Sequence, residues 1–336
     1  MTLSRYSLIS FFAMLALAGC GGSSSTTTPP PPTIGKLYVA VANADTILRF
    51  PAGANGDASP EARFPFPRNG PTFIALDVPH NRMAISSNDG PPAVTLFDNV
   101  SQDGSAPRVI AGAATTMTAV GRCALDTTND LLYVAADQGP GTSAVLVFGP
   151  ASTVLGNIAP LRTFTTGFVP TGFVLDSANN RLFLANQANN SIAIFDNAST
   201  LTGPVTPTRT ISGANTQLNS PFDMVLDNSG RLIVTSSFSV NITGLLVFAN
   251  AGVANGNVAP AASSQITQGP LQMAISPAGE LYVVDGDIRV TVYGNVATAS
   301  GAIHPIRVIQ GPDTGLNFVM PSIPGLPAGV ALDPTR

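Results

Sequence analysis

An apolar segment that closes on Asp or Ser recurs six times along this chain, and this repeat limits the possible folds more than any other feature. The closing residues are Asp77, Asp126, Asp176, Asp227, Ser276 and Asp333. They are separated by 49, 50, 51, 49 and 57 residues. Repetition at a period of about 20–50 residues indicates a solenoid, a propeller or a linear array of repeats.

Each period contains four short strand patterns, which are clearest in the interval that begins at Gly172. Apolar runs there cover 172–175, 181–185, 191–195 and 208–211, with polar turns rich in Asn and Asp between them. Runs of this kind, bounded by Asn, Asp, Gly and Pro, predict strands joined by hairpins. Four short strands per repeat is the module of a β-propeller blade.

The two ends of the repeat region complement each other. The first copy, from Leu37, has the second, third and fourth strands of a blade but no first strand, whereas 329–333 is a first strand with no others after it. Pairing of these two ends would leave no open inner edge. The sequence therefore predicts an all-β, six-bladed β-propeller with four antiparallel strands per blade, closed by the C-terminal strand joining the N-terminal blade.

The N-terminus has the pattern of a secretory leader. Arg5 precedes an apolar run over 8–18, which is too short to span a bilayer but suits a signal peptide. The run ends in Leu17-Ala18-Gly19-Cys20, which resembles the lipobox of bacterial lipoproteins. The resemblance implies that Cys20 is acylated after removal of residues 1–19. A plain secretory signal with a chance cysteine is the alternative.

The domain plan follows from these patterns. Residues 1–19 are a lipoprotein signal peptide, 20–34 a Gly/Ser/Thr/Pro tether, and 35–336 the propeller. Residues 21–32 have no apolar side chain to bury, which is typical of a tether that is flexible at first and stiffer through its prolines. The expected partner of Cys20 is the membrane, with the ring on the extracytoplasmic side. By resemblance, Gly21 after the cysteine favours the outer membrane if the cell is Gram-negative.

The charge balance excludes one class of partner. The chain has 19 acidic and 15 basic residues, a formal net charge of −4, and a single lysine, Lys36. Nucleic-acid binding calls for a basic stripe or patch, so we expect no nucleic-acid partner. The 32 Gly and 29 Pro residues argue against a helical bundle, because both are poor helix formers.

The blade pattern resembles a known superfamily. The frame Val330-Ala331-Leu332-Asp333, the strand Leu281-Tyr282-Val283-Val284-Asp285 and a following Ile-x-Val-Phe/Tyr strand are similar to NHL-repeat and related six-bladed propellers. The turns at 156–160 and 256–260 resemble uncharacterised secreted members most. The superfamily includes hydrolases similar to gluconolactonases as well as scaffold domains, so the resemblance implies the architecture more strongly than an activity.

Two sets of residues are candidates for a site around the channel. Carboxylates in the loops between second and third strands, where propeller ligands bind, would suit Ca²⁺, which takes oxygen ligands. These are Asp45, Asp89, Asp137, Asp285 and Asp287. The alternative is that they are ordinary turn residues. At the start of the first strands, Arg122, Asp223 and Gln272 break the repeat and point into the channel, as a ligand contact or as a structural ion pair.

The sequence gives less support to a hydrolase metal site or to a catalytic cysteine. The hydrolytic relatives hold a metal with Glu and Asn/Asp ligands, but this chain has only Glu61 and Glu280, both predicted to lie in turns away from the ligand face. Cys123 lies in an apolar strand pattern and is expected to be structural. The acidic residues that close each repeat are expected to stabilise the opposite-face hairpins, alone or paired with Arg82, Arg181 and Arg231.

Two functional hypotheses follow. The first is a lipid-anchored, monomeric propeller that acts as a non-catalytic binding or scaffold module for a protein, glycan or envelope component. The alternative is a metal-dependent lactonase or esterase-like hydrolase that uses the central channel.

Overall fold

The computed structural model describes residues 35–102, 106–139, 142–239, 242–266, 269–285, 288–316, 319–320, 323–324 and 327–336. Cys20 and the tether lie outside the described residues. Within these ranges, no helix has the length and hydropathy needed to cross a bilayer.

Short strands make up nearly all of the regular structure. The first fourteen are β1 (Lys36–Val41), β2 (Thr46–Pro51), β3 (Ala62–Pro65), β4 (Asn69–Asp77), β5 (Arg82–Asp89), β6 (Ala93–Asp98), β7 (Arg108–Ala111), β8 (Ala119–Asp126), β9 (Leu131–Gly139), β10 (Thr142–Phe148), β11 (Arg162–Thr165), β12 (Phe173–Asp176), β13 (Arg181–Asn186) and β14 (Ser191–Asp196). The others are β15 (Gly203–Pro204), β16 (Arg209–Ile211), β17 (Met224–Leu226), β18 (Leu232–Ser239), β19 (Ile242–Phe248), β20 (Ala262–Ile266), β21 (Pro270–Ile275), β22 (Leu281–Asp285), β23 (Arg289–Tyr293), β24 (Gly301–Ala302), β25 (Arg307–Ile309), β26 (Val319–Met320), β27 (Ile323–Pro324) and β28 (Pro327–Asp333). Single 3₁₀ turns lie at Ala42–Ala44, Val100–Gln102, Ala113–Thr115, Ala198–Thr200, Ala214–Thr216 and Pro312–Thr314.

The strands form six antiparallel four-stranded blades, as the repeat predicts. From the inner to the outer strand, the blades are β28-β1-β2-β3, β4-β5-β6-β7, β8-β9-β10-β11, β12-β13-β14-β16, β17-β18-β19-β20 and β21-β22-β23-β25. Each inner strand contacts the inner strands of the blades on either side, so the six blades form a closed ring. The fold is a six-bladed β-propeller.

Closure of the ring joins the two ends of the repeat region. β28 pairs with β1 from Lys36–Asp333 to Ala40–Gly329, which supplies the inner strand that blade 1 lacks. Val330 and Leu332 of this strand are buried between blades 6 and 1, and Ala331 between blades 1 and 2. The predicted closure by the C-terminal strand is confirmed.

The hydrophobic core is divided into six clusters, each lying between two neighbouring blades. This division explains why the second and third strands are apolar on both faces. The aromatic residue near the end of each third strand is almost completely buried in these clusters: Phe50, Phe97, Phe148, Phe195, Phe248 and Tyr293. The blades therefore stabilise one another rather than a single central core.

Loops at the outer rim also connect neighbouring blades, which the repeat pattern did not predict. In blades 1, 3 and 5, a loop glycine forms a parallel bridge to the outer strand of the preceding blade: Gly56 with Ile309, Gly156 with Ile110, and Gly256 with Ile211. In blades 4 and 6, short strands β15 and β24 pair in parallel with β11 and β20 of the preceding blade. The corresponding segment of blade 2, at 103–105, lies outside the described residues. Five of the outer blade edges are thus covered.

Candidate functional site

Three polar side chains meet in the central channel and close it near the face that carries the loops between second and third strands, here called the hairpin face. Arg122 lies on β8, Asp223 directly before β17, and Gln272 on β21. An Arg122 Nη1 nitrogen lies 3.0 Å from Asp223 Oδ1, and both side chains are almost fully buried. The ion pair that the sequence left as one of two interpretations is present.

The remaining hydrogen bonds of this pair are to backbone atoms. Arg122 donates from Nε to the Thr171 carbonyl and from Nη2 to the Leu271 carbonyl, both at 2.7 Å. Asp223 Oδ2 accepts from the backbone N–H of Met273 at 2.6 Å. The first strand of each blade has an unpaired edge facing the channel, and a buried backbone group without a partner is costly. The ion pair supplies some of these missing partners.

Gln272 performs the same role for blades 1 and 2. Its Oε1 accepts from the backbone N–H groups of Ile74 and Val330, each at 3.0 Å, and its Nε2 donates to the Ile74 carbonyl at 2.7 Å. Space here is tight, because a Cβ on Gly329 would collide with the Thr72 carbonyl oxygen. One amide side chain therefore links three blades across the channel.

Two phenyl rings flank the guanidinium. The Arg122 Cζ lies 4.2 Å from the ring centroid of Phe73 and 5.5 Å from that of Phe222. Both distances are in the range of cation–π attraction. Burial lowers the pKa of Arg122 and raises that of Asp223, and the opposite charge of each partner counteracts these shifts. A ligand contact by Arg122, Asp223 or Gln272 stays a prediction, and it would have to compete with these internal contacts.

Behind this closure the channel continues as a cavity of about 290 Å³, lined mainly by apolar side chains of the first strands. Cys123 lies on its wall, but burial raises the pKa of the thiol to about 12, so the thiolate is not available near neutral pH. Its Sγ contacts the Ala84 carbonyl oxygen at 3.7 Å. Cys123 is therefore a packing residue, in agreement with the sequence.

The predicted metal ligands are distributed over different blades. Asp45 lies in the loop before β2 of blade 1, whereas Asp89 and Asp285 end β5 and β22 of blades 2 and 6 and Asp137 lies within β9 of blade 3. Asp287 lies outside the described residues. Asp137 Oδ1 accepts from the Ser143 hydroxyl at 2.7 Å, and Asp285 pairs with Arg289 at 3.4 Å. Among the described residues, no three His, Cys, Asp or Glu side chains are grouped to hold a metal ion. A Ca²⁺ site stays a prediction, and no observation favours the hydrolase.

Asp and Asn side chains of the hairpin face have another role that the sequence did not reveal. Three of them accept a hydrogen bond from a backbone N–H of the next blade. Asp45 Oδ1 accepts from Gly70 at 2.8 Å, Asn88 Oδ1 from Val120 at 2.8 Å, and Asn190 Oδ1 from Ser220 at 2.7 Å. These side chains fix neighbouring blades relative to one another.

The opposite face carries most of the ion pairs. Asp77 lies 3.6 Å from Arg82 and also contacts His80, and Asp227 lies 2.6 Å from Arg231. These contacts confirm the structural role expected for the repeated acidic residues. For Asp176 the alternative of a turn residue is the one present: it accepts hydrogen bonds from Asn179, while Arg181 Nε binds Asp196 at 2.7 Å.

Asp196 should make the stability of the ring pH-dependent in acid. Hydrogen bonds from Arg209 and Arg181 lower the pKa of its carboxyl to about 2. Because this value is below that of the unfolded chain, the stabilisation is present above pH 4 and is lost as the pH falls from about 4 to 2. The side chain is 28% exposed. We therefore expect the ionised carboxylate to contribute only about 1–2 kcal/mol to the free energy of unfolding. Urea titrations at several pH values between 5 and 2 should show this loss of unfolding free energy in the wild type and not in Asp196→Asn.

Asp89→Asn is the matched control for that experiment, since Asp89 is exposed and lies on the other face. Its unfolding free energy should follow the wild-type pH profile. Parallel profiles for wild type and Asp196→Asn would contradict the prediction.

Comparison with known proteins supports the architecture. No protein-family model and no curated protein sequence matches the chain. A chain in the crystal structure of a nidogen/laminin complex superposes with a TM-score of 0.63 at 15% identity, covering 90% of this chain and 99% of that one. The crystal structure of a functionally unknown protein from Desulfotomaculum acetoxidans gives a TM-score of 0.56 at 13% identity, with 89% and 88% coverage. At these identities the likeness shows the fold alone.

Proposed function

We propose that this chain is a lipid-anchored extracytoplasmic protein whose propeller is a non-catalytic binding or scaffold module for a protein, glycan or envelope component. The observation that carries the proposal is that Arg122, Asp223 and Gln272 bridge the channel, and that their polar atoms bond to one another or to backbone groups. Among the described residues, these side chains are therefore engaged in internal contacts. We assign recognition to the hairpin face around them.

The rigidity of the ring supports the same function. Six hydrophobic clusters, side chains that bridge the channel and hydrogen bonds between blades connect the described strands that border the hairpin face. Binding by a pre-organised surface loses less conformational entropy than binding by mobile loops. One structurally similar chain comes from a nidogen/laminin complex, so a ring of this fold occurs in an assembly with another protein.

The anchor part of the proposal is supported by Leu17-Ala18-Gly19-Cys20 and by the polar tether that follows it. Acylation at Cys20 would hold the ring at a membrane without a transmembrane helix, since each buried CH₂ contributes about 0.8 kcal/mol. In a Gram-negative cell, the Gly21 position favours the outer membrane.

Replacing Cys20 should release the protein. We expect Cys20→Ser to move the chain from the membrane pellet to the supernatant after cell lysis, and to abolish incorporation of an alkyne-tagged palmitate. Cys123→Ser is the control, because Cys123 is buried in the ring and should leave both measurements unchanged. Membrane sedimentation of Cys20→Ser, together with no label in the wild type, would refute the anchor.

Binding is tested with the full-length Cys20→Ser chain immobilised on a sensor surface. We expect saturable binding of one fraction, either purified peptidoglycan or outer-membrane vesicles of the host bacterium, with no loss of signal in EDTA. Absence of binding to every fraction, or hydrolysis of lactones or esters that depends on Ca²⁺ or Zn²⁺, would overturn the proposal.

A further inference from the structure

A cleft of about 410 Å³ opens beside the closed channel, between blades 4, 5 and 6. Its wall is formed by Gln187, Ser220, Phe222, Thr235, Ser236, Ser237, Thr243, Gly269, Pro270 and Leu271, and we call it the blade 5 cleft. Its volume is in the range of small-molecule sites, which is about 300–1,000 Å³. The channel residues Arg122, Asp223 and Gln272 are not part of this wall.

Among the described residues, the wall of the blade 5 cleft carries no ionisable side chain. The nearest charges described above, on Arg122 and Asp223, neutralise each other behind it. A charged ligand would lose its hydration on entering the cleft without gaining an opposite charge. The chemistry of the wall therefore selects an uncharged ligand.

Phe222 is the one aromatic residue among the described residues of this wall and is half-buried. Its backbone N–H donates to the Thr235 carbonyl at 3.3 Å, and the Arg122 guanidinium lies 5.5 Å from the ring centroid. The face of a phenyl ring carries partial negative charge. It is complementary to the weakly positive C–H groups on one face of a sugar ring.

Three polar side chains of the wall are available to hydrogen-bond a ligand. Among the described residues, the side chains of Gln187, Ser237 and Thr243 have no hydrogen-bond partner, whereas the adjacent Ser236 hydroxyl donates to backbone carbonyls. Ser237 and Thr243 are direct cross-strand neighbours, so their side chains lie on the same face of blade 5. Hydroxyl and amide groups both donate and accept, as sugar hydroxyls require.

We propose that the blade 5 cleft binds a neutral oligosaccharide. One sugar ring stacks on Phe222, and its hydroxyl groups exchange hydrogen bonds with Gln187, Ser237 and Thr243. This inference rests on the proposed binding function and narrows the partner to an uncharged glycan.

The test uses isothermal titration of the full-length Cys20→Ser chain with cellohexaose, chitohexaose, laminarihexaose and mannohexaose. We expect one of these to bind with a Kd on the order of 10⁻⁴ M. Phe222→Leu keeps an apolar side chain but removes the ring face, and should weaken binding by about tenfold. Thr243→Val should weaken it by about three- to tenfold.

Phe73→Leu is the matched control, since Phe73 stacks on the same guanidinium but lies outside the blade 5 cleft. It should leave the Kd unchanged. The cleft proposal is overturned if no hexasaccharide binds, or if Phe222→Leu binds as tightly as its parent. If an envelope fraction still binds while no sugar does, the cleft proposal alone is wrong; if neither binds, the proposed binding function is wrong as well.

Discussion

Asp223→Ala should lower the free energy of unfolding by about 3–5 kcal/mol, because it leaves the buried guanidinium of Arg122 without its counter-ion. The variant also removes the acceptor of the Met273 N–H group. In thermal unfolding followed by circular dichroism, we expect the midpoint to fall by about 6–15 °C.

Two controls distinguish the effect of leaving a buried charge unpaired from the effect of removing a charge as such. Lys36→Ala removes a partly exposed ion pair with Glu61 and should cost less than about 1 kcal/mol. The double variant Arg122→Met/Asp223→Leu removes both buried charges, and it should be less destabilised than Asp223→Ala. An Asp223→Ala protein that melts within 2 °C of the wild type, as Lys36→Ala is expected to, would show that the pair does not stabilise the ring.

Deletion of residues 327–336 should abolish the cooperative folding of the ring. The deleted strand β28 fills the inner position of blade 1, and Val330 and Leu332 are buried. Burial of each such side chain contributes about 1.5–3 kcal/mol. Together with the lost strand pairing, this approaches the total stability of about 5–15 kcal/mol that is typical of a folded protein. We expect a protein that aggregates on size-exclusion chromatography and shows no sharp thermal transition.

The control deletion removes only 334–336, which follow β28. It loses the Arg336 pair and the two Thr335 hydrogen bonds of the buried Asp333, but keeps every strand. This shorter deletion should lower the midpoint by about 4–8 °C and keep a cooperative transition. The closure argument fails if the 327–336 deletion also melts cooperatively near the wild-type midpoint.

The blade architecture could be predicted because it depends on local patterns. In blade 4 the predicted runs 181–185 and 191–195 correspond to β13 and β14, to within one residue at each end. Apolar alternation and polar turns determine where strands begin and end, and the missing first strand at the N-terminus determines how the ring closes. The meeting of Arg122 and Asp223 followed from their equivalent positions in two repeats.

Side-chain contacts within and between blades were harder to predict. Arg181 has Asp176 opposite it on one neighbouring strand and Asp196 on the other, so register alone permits either pair. Only the structure shows that Arg209 approaches Asp196 and makes it the shared partner. The links from Asp45, Asn88 and Asn190 to the next blade also leave no periodic hydrophobic signal, and their residue types are equally typical of turns.

A signal for the rim loops was nevertheless present in the sequence. Gly112-x-x-Thr115, Gly213-x-x-Thr216 and Gly311-x-x-Thr314 recur at about twice the blade period. In each, the threonine is fully buried and its hydroxyl donates to the glycine carbonyl. A loop side chain of the following blade, Asp57, Asn157 or Asn257, accepts from the same turns. A search for a repeat of about 100 residues would have found them.

The described rim loops are of two kinds, which alternate around the ring. Blades 1, 3 and 5 contact their predecessor through a single glycine bridge, whereas blades 4 and 6 do so through a short added strand. The glycine loops pair with the outer strands of even-numbered blades, and the short added strands pair with those of odd-numbered blades. Insertion or loss of one blade would bring two blades of the same kind together and leave a mismatched junction.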